Sequence, residues 1–308
     1  MRSAFIAFLE EAATSDPSLY LVAGDVGFSV IEKFKEKHQH RFLNAGIAEQ
    51  NMIGMAAGLA MMGKRPYVYS IVPFVTLRCY EQIKNDVCYQ QQPVKLVGVG
   101  GGYQYGGMGA THHALEDVGA LRLLPNMTVV VPATKAEVIA LMPQIHAHNG
   151  PVYLRLTAPT LELAGPSNPI LGQPYELIAG EDIIIIGSGY GVELGYHIQQ
   201  QLNSEGISCG LVSLHTVTNL PIEWFAQRRP RAIFTIEEHF IVGGIGEAIA
   251  RVMLETYDYK VIFKAFGAPH TYGNEIGNCA WLRNKAGLTP AAIISQIKNL
   301  LTIAEKIC

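Results

Sequence analysis

The sequence predicts an α/β protein of two three-layer domains, each a parallel sheet covered by helices on both faces, with a mixed sheet in the second. Three observations carry that expectation. At 308 residues the chain is longer than one hydrophobic core usually holds. Apolar residues make up 49% and charged residues 16%, the balance of a well-buried chain and not of a disordered one. Short apolar runs alternate with helix-length stretches, as in sheets whose strands are buried on both faces.

The elements follow in order. Ser3 to Thr14 carries Phe5, Phe8, Leu9 and Ala12 at helical spacing, with Ser3 as its cap. Leu19 to Ala23 is a short strand ending at Gly24-Asp25, Val30 to Lys37 a helix, and Phe42-Leu43 a strand leading to a helix opened by Glu49. Pro66 to Ile71 reads as strand, Phe74 to Tyr89 as helix, and Val94 to Val99 as a strand emptying into a Gly-rich loop, Gly100 to Gly109. Leu115 to Arg122 and Lys135 to His148 read as helices, Thr128 to Val131 and Val152 to Leu156 as strands. Pro159, Pro166, Pro169 and Pro174 then interrupt the pattern, so residues 161–178 are expected to link a domain over 1–160 to one over 179–308. The second domain shows strands at Asp182 to Ile186, Ser208 to Val212, Arg231 to Ile236 and Lys260 to Phe266, with helices at Gly191 to Glu205 and Gly243 to Glu255.

Composition excludes several classes. A net charge of −3 supplies no basic field for nucleic acid. The five cysteines (Cys79, Cys88, Cys209, Cys279, Cys308) form no C-x-x-C pair, which points to reduced thiols in a cytoplasmic protein and away from a zinc site. Glu10 and Glu11 interrupt the order a signal peptide requires, and no apolar run is long enough for a membrane span.

Four places suggest chemistry. Glu49 is a lone carboxylate opening a helix that otherwise carries almost no charge, either an acid stabilised by the helix dipole or a buried acid with a task. Its helix is lined by Gly54, Ala56, Ala57, Gly58 and Ala60, which lets a neighbour pack close to the backbone. His112-His113 follow the Gly-rich loop, where a ligand can approach the backbone, and read equally as capping or as functional histidines. Gly187-Ser188-Gly189-Tyr190-Gly191 lacks the spacing of a dinucleotide fingerprint and reads as a tight strand-to-helix turn. Glu237-Glu238-His239 ends a strand, where α/β proteins place ligand sites, and reads equally as a polar loop capping the helix after Gly243-Gly244.

At this point the residues carry a resemblance. Asn44-Ala45-Gly46-Ile47-Ala48-Glu49-Gln50-Asn51-Met52 resembles the thiamine-diphosphate motif of the transketolase family's pyrimidine-binding domain. Arg78-x-Tyr80-Glu81-Gln82-Ile83, Thr111-His112-His113-Ala114-Leu115-Glu116-Asp117 and Leu123-Leu124-Pro125-Asn126-Met127-Thr128-Val129 resemble that domain in the same order. Glu237 to Gly244 resembles the start of the family's C-terminal domain. The resemblance implies a pyrimidine-binding domain followed by a transketolase C-terminal-like domain.

It also implies roles. Glu49 would share a proton with the cofactor's pyrimidine ring, which needs a dry site and a raised pKa. Phe74 would stack on that ring, Ile71 standing where the family has a companion aromatic, and Arg78 belongs to the same cofactor motif. His112 would face the substrate's carbonyl and hydroxyls, and Arg155 and Ser29 would bind the far end of a sugar phosphate. Met108 falls where the family's acceptor-recognising Asp stands, and Gly100 where its phosphate-binding His stands. Tyr103 and Tyr105 are added in the Gly-rich loop as candidates to stack on a sugar or a base.

The family's diphosphate and Mg²⁺ are held by an N-terminal domain whose Gly-Asp-Gly motif Gly24-Asp25-Val26 does not reproduce. The expected protein is therefore the second subunit of a split transketolase, assigned no metal ligand of its own. It would act with an N-terminal subunit in an α2β2 heterotetramer, on a modified or nucleotide-linked sugar. The alternatives are the β subunit of a 2-oxo-acid dehydrogenase, acyl transfer of the deoxyxylulose-phosphate-synthase kind, and a non-catalytic regulatory subunit.

Overall fold

A computed structural model describes residues 1–27, 30–158, 160, 162 and 168–306, which form two sheets. The first holds six parallel strands: β1 (Leu19–Ala23), β2 (Phe42–Asn44), β3 (Arg65–Ile71), β4 (Lys95–Val99), β5 (Thr128–Val130) and β6 (Val152–Leu156). Their spatial order is β2-β1-β3-β4-β6-β5. The accompanying helices are α1 (Arg2–Ser15), α2 (Glu32–Lys37), α3 (Glu49–Met61), α4 (Val72–Val75), α5 (Tyr80–Gln82), α6 (Asp117–Arg122) and α7 (Lys135–Ala147). Every residue of β4 and of β6 is buried, which explains their unbroken apolar reading. The chain runs outward from β1 to β2, then crosses back to β3 on the other side of β1. The carboxyl ends of β1 and β3 are thus a topological switch point, where open α/β sheets bind ligands.

The second sheet contains β7 (Tyr175–Ile178), β8 (Ile183–Ser188), β9 (Gly210–Ser213), β10 (Ala232–Phe240) and β11 (Ile262–Ala268), in the order β11-β10-β8-β9-β7. It is mixed, because β7 pairs antiparallel with β9. Around it lie α8 (Tyr190–Ser204), α9 (Ile222–Ala226), α10 (Ile245–Thr256), α11 (Cys279–Lys285) and α12 (Pro290–Glu305). No described helix is long and apolar enough to cross a membrane.

Two local expectations change. Tyr175–Ile178, read as part of a linker, is the edge strand of the second sheet. The single helix expected over 74–89 is broken into α4, a 3₁₀ turn at Leu77–Cys79, α5 and a π-helical turn at Ile83–Cys88. The Thr76 hydroxyl donates back to the Val72 carbonyl at 2.6 Å, which competes with helical pairing at the break. The interruption lies at the switch point and presents Phe74 and Arg78 there.

The two sheets are sewn together by backbone. Val131 N donates to His215 O at 2.7 Å, Val217 N to Val129 O at 3.0 Å and Phe240 N to Leu115 O at 2.7 Å. One apolar cluster runs from Met52 and Val68 of the first sheet's surroundings through Ile184 and Val212 of the second.

The Glu237-Glu238-His239 run serves this junction. The Glu237 carboxylate accepts from Ile245 N at 2.9 Å and Gly246 N at 3.0 Å, capping α10, and burial pushes its carboxyl upward. Glu238 pairs with Arg283 at 2.6 Å. The His239 ring takes the Gly119 N–H at Nε2 (3.1 Å) while Nδ1 faces the Phe240 carbonyl (2.7 Å), a pattern that suits the neutral Nδ1–H tautomer. The helix-capping reading is the one the geometry supports.

Candidate active site

Four of the residues singled out above meet at the switch point. Glu49 opens α3 directly after the β2 loop and is 3% exposed. Asn44 organises that loop: its side-chain oxygen accepts from Asp25 N at 3.1 Å and from Gly46 N at 3.0 Å. Gly24 stands against this turn, where an added Cβ would lie 3.3 Å from the Met52 sulfur and 3.6 Å from Glu49 Cγ. Arg78 Nη1 donates to Glu49 Oε2 at 2.7 Å, and its guanidinium carbon lies 4.3 Å from the centre of the Phe74 ring. The His112 ring meets Phe74 edge-on at 5.1 Å, and its Nδ1 is 3.0 Å from the Thr111 hydroxyl. A buried carboxylate, an aromatic ring and an imidazole are therefore gathered in one cluster, with Ile71 half-buried at the end of β3. Burial, with the Glu49 charge second, pushes the neighbouring Cys79 thiol up to about 12, so it offers no thiolate nucleophile.

Other expected site residues are placed differently. Arg155 does not face an opening. It is 2% exposed, its Nε bonded to Asp117 at 2.8 Å and its Nη2 to the Glu238 carbonyl at 3.1 Å. Its guanidinium ties β6 to α6 and β10, and a substrate phosphate has no access to it. Tyr103 lies away from this cluster, largely buried with Leu115, Phe240 and Leu282 at the domain junction and edge-on to His113 at 5.2 Å. At Gly100 (φ +87°) the Tyr105 ring occupies the space a side chain would need, so an aromatic face fills the place where the family's His is expected. Met108 is 60% exposed in the 3₁₀ turn Gly106–Met108. Ser29 lies outside the described residues.

The sequence reading missed a second feature. A cleft of about 1270 Å³ opens beside the amino ends of α1 and α7, lined by Arg2, Ser3, Lys33, Thr134, Lys135 and Thr157 among others. Its charges are mixed, since Glu10, Glu32 and Glu162 line it together with Arg2, Lys33 and Lys135. Arg2 also lies beside the buried phenol of Tyr69, which burial pushes upward and the guanidinium draws back; Tyr105 neighbours the same phenol. Arg2 belongs to no motif, and only its position next to Ser3, the expected cap of the first helix, hinted at a charged helix start. Among the described residues no group of three or more His, Cys, Asp or Glu side chains converges on a metal position.

Comparison with known proteins identifies both domains. Residues 1–162 match the transketolase pyrimidine-binding domain and residues 172–293 the transketolase C-terminal domain. The chain is 32% identical over 299 residues to the 6-deoxy-6-sulfo-D-fructose transketolase subunit SqwH of a Clostridium species, covering 96% of this chain and 92% of that one. It is 32% identical over 260 residues to an apulose-4-phosphate transketolase subunit of Phocaeicola vulgatus, covering 82% and 83%. It spans only 42% of a 1-deoxy-D-xylulose-5-phosphate synthase from Desulfotalea psychrophila, at 31% identity over 277 residues and 87% of this chain. Among solved structures, a split-gene transketolase described as an inactive β4 tetramer superposes with a TM-score of 0.88 at 31% identity, covering 98% of both chains. With both domain matches in sequence order and a carboxylate, an aromatic and an imidazole gathered at the switch point, this chain belongs to the transketolase family.

Proposed function

We propose that this chain is the second subunit of a split, thiamine-diphosphate-dependent transketolase that moves a two-carbon ketol unit from a ketose to an aldose. The observation that carries the reading is the pairing of buried Glu49 with the Phe74 ring, both engaged by one planar N–H donor, Arg78. A carboxylate acceptor beside an aromatic face is the set of contacts an aminopyrimidine ring requires. When bound, thiamine diphosphate supplies a carbon acid that becomes a nucleophile towards the ketose carbonyl. Glu49, itself buried, would share a proton with the pyrimidine ring nitrogen. Phe74 would stack on that ring, and His112, edge-on to Phe74, would donate to or accept from the sugar's oxygens.

Diphosphate and Mg²⁺ are assigned to a separate N-terminal subunit, and the working assembly to an α2β2 heterotetramer. Two relatives with subunit names act, by those names, on a sulfo-sugar and on apulose 4-phosphate. This chain is read as sharing that preference for a modified sugar. Exposed Met108 offers a thioether and no hydroxyl-binding carboxylate. Co-expression with a subunit carrying the Gly-Asp-Gly motif tests this. The complex should turn over only with thiamine diphosphate and Mg²⁺. Turnover by this chain alone, or undiminished turnover after both are stripped, overturns it.

A further inference from the structure

Arg78 makes two contacts at once that a different planar group is expected to make. Its guanidinium lies over the Phe74 ring at 4.3 Å, and its Nη1 donates to Glu49 Oε2 at 2.7 Å. Guanidinium is flat, delocalised and ringed with N–H donors, and it stacks on aromatic faces as a heteroaromatic ring does. One ring face and one buried carboxylate oxygen cannot serve Arg78 and a pyrimidine together.

We propose that Arg78 is a built-in surrogate for the aminopyrimidine, filling its place in the cofactor-free chain and leaving when the ring enters. This rests on the reading that Glu49 and Phe74 hold that ring. The surroundings suit such an exchange. The Arg78 side chain is 44% exposed against 4% for Glu49, so one partner has solvent to turn into and the other has not. The Arg78 backbone is held independently of these side-chain contacts: Gln50 Nε2 donates to the Arg78 carbonyl at 3.1 Å. Without the surrogate, Glu49 would be a buried charge with no partner, a costly state for a subunit waiting to assemble. With it, the lone subunit keeps its cofactor half closed.

The test uses the full chain without any partner and thiamine as the probe, since thiamine carries the pyrimidine ring and lacks the diphosphate. Ligand-observed NMR titrations compare the wild type with R78A, R78K and each combined with E49Q. R78A should bind thiamine about tenfold more tightly, the effect expected for freeing a half-exposed ion pair and a cation–π contact. R78K, which keeps the charge and loses the plane, should fall between the two and decides the matter if R78A does not fold. Equal or weaker binding by the Arg78 variants overturns the surrogate, weaker binding making Arg78 a contact of the bound ring. If E49Q nonetheless weakens thiamine in the wild-type background, the pyrimidine site itself stands. If the Arg78 variants bind more tightly whether or not E49Q is present, the pyrimidine reading of Glu49 fails. Absence of thiamine binding by every variant also overturns the surrogate, and the cofactor reading is then judged by the thiamine-diphosphate dependence of the reconstituted complex.

Discussion

The buried ion pairs at the domain junction and at the switch point are built on opposite terms. At the domain junction, Arg155 and Asp117 are 3% and 1% exposed, and around them Tyr153, the Ala114 carbonyl and the Glu238 carbonyl complete the hydrogen bonding. Glu238 in turn is closed by Arg283, whose guanidinium lies 3.3 Å from the Tyr190 ring centre. At the switch point, Glu49 is as deeply set, yet its partner Arg78 is half in solvent and the neighbouring Phe74 and His112 rings are only partly covered. A buried charge enclosed by fixed partners holds a structure in place. A buried charge whose partner stands at an opening is available to a ligand.

Substitutions in the two clusters should therefore have opposite effects. Glu49→Gln should lower turnover of the reconstituted enzyme by roughly 10²–10⁴-fold, the usual cost of losing a proton-transfer group, while leaving the urea unfolding midpoint of the isolated chain nearly unchanged. Arg155→Met should do the reverse. Stranding Asp117 without its partner should cost roughly 3–5 kcal/mol in equilibrium unfolding, with the thiamine diphosphate requirement of any surviving enzyme unaltered. A large activity loss at Arg155 in a fully stable protein would mean that the junction cluster has been misread.

Acid separates the regions further. His215, fully buried at the junction, is held down at about 4 by burial. The folded chain keeps it neutral, and the unfolded chain takes up a proton below its ordinary value of 6.5. Its contribution is therefore whole above that pH and is lost as pH falls towards about 4, by at most about 3 kcal/mol. Unfolding titrations between these limits should show the slope in the wild type and a flatter one in His215→Leu. The smallest effect is expected at Arg2: Arg2→Gln should leave the urea unfolding midpoint nearly untouched, since this side chain is exposed.

What the sequence disclosed follows the same division. The strands of the first sheet were legible because parallel strands buried on both faces leave continuous apolar runs. Glu49, Phe74, Arg78 and His112 were legible because they sit in contiguous motifs with fixed spacing. Arg155 was not, since a cation inside an apolar strand looks the same whether it meets a ligand or a buried Asp117 far along the chain. Tyr103 was misplaced for a related reason: a tyrosine in a Gly-rich loop gives no sign of whether it turns outward or into the junction. β7 hid among prolines because a short edge strand takes its identity from β9, more than thirty residues later in sequence. The helix over Pro290–Glu305 had a readable signal in Thr289, whose side chain accepts from Ala292 N at its start, and in the buried Ile293, Ile294, Ile297 and Leu301.

The loop after β4 is closed at its base by reciprocal backbone bonds, Gly102 N to Ala114 O at 3.0 Å and Ala114 N to Gly102 O at 2.9 Å. Gly102 is pressed against the Glu238 carboxylate and Gly106 against Leu282, so neither accepts a side chain without displacing the second domain. Between these fixed points, Gly107, Met108, Ala110 and Thr111 are exposed. The loop is thus a cassette, with its frame locked by glycines and its inserts free to vary. An evolving lineage or a directed library can rewrite the exposed positions without disturbing how the protein folds.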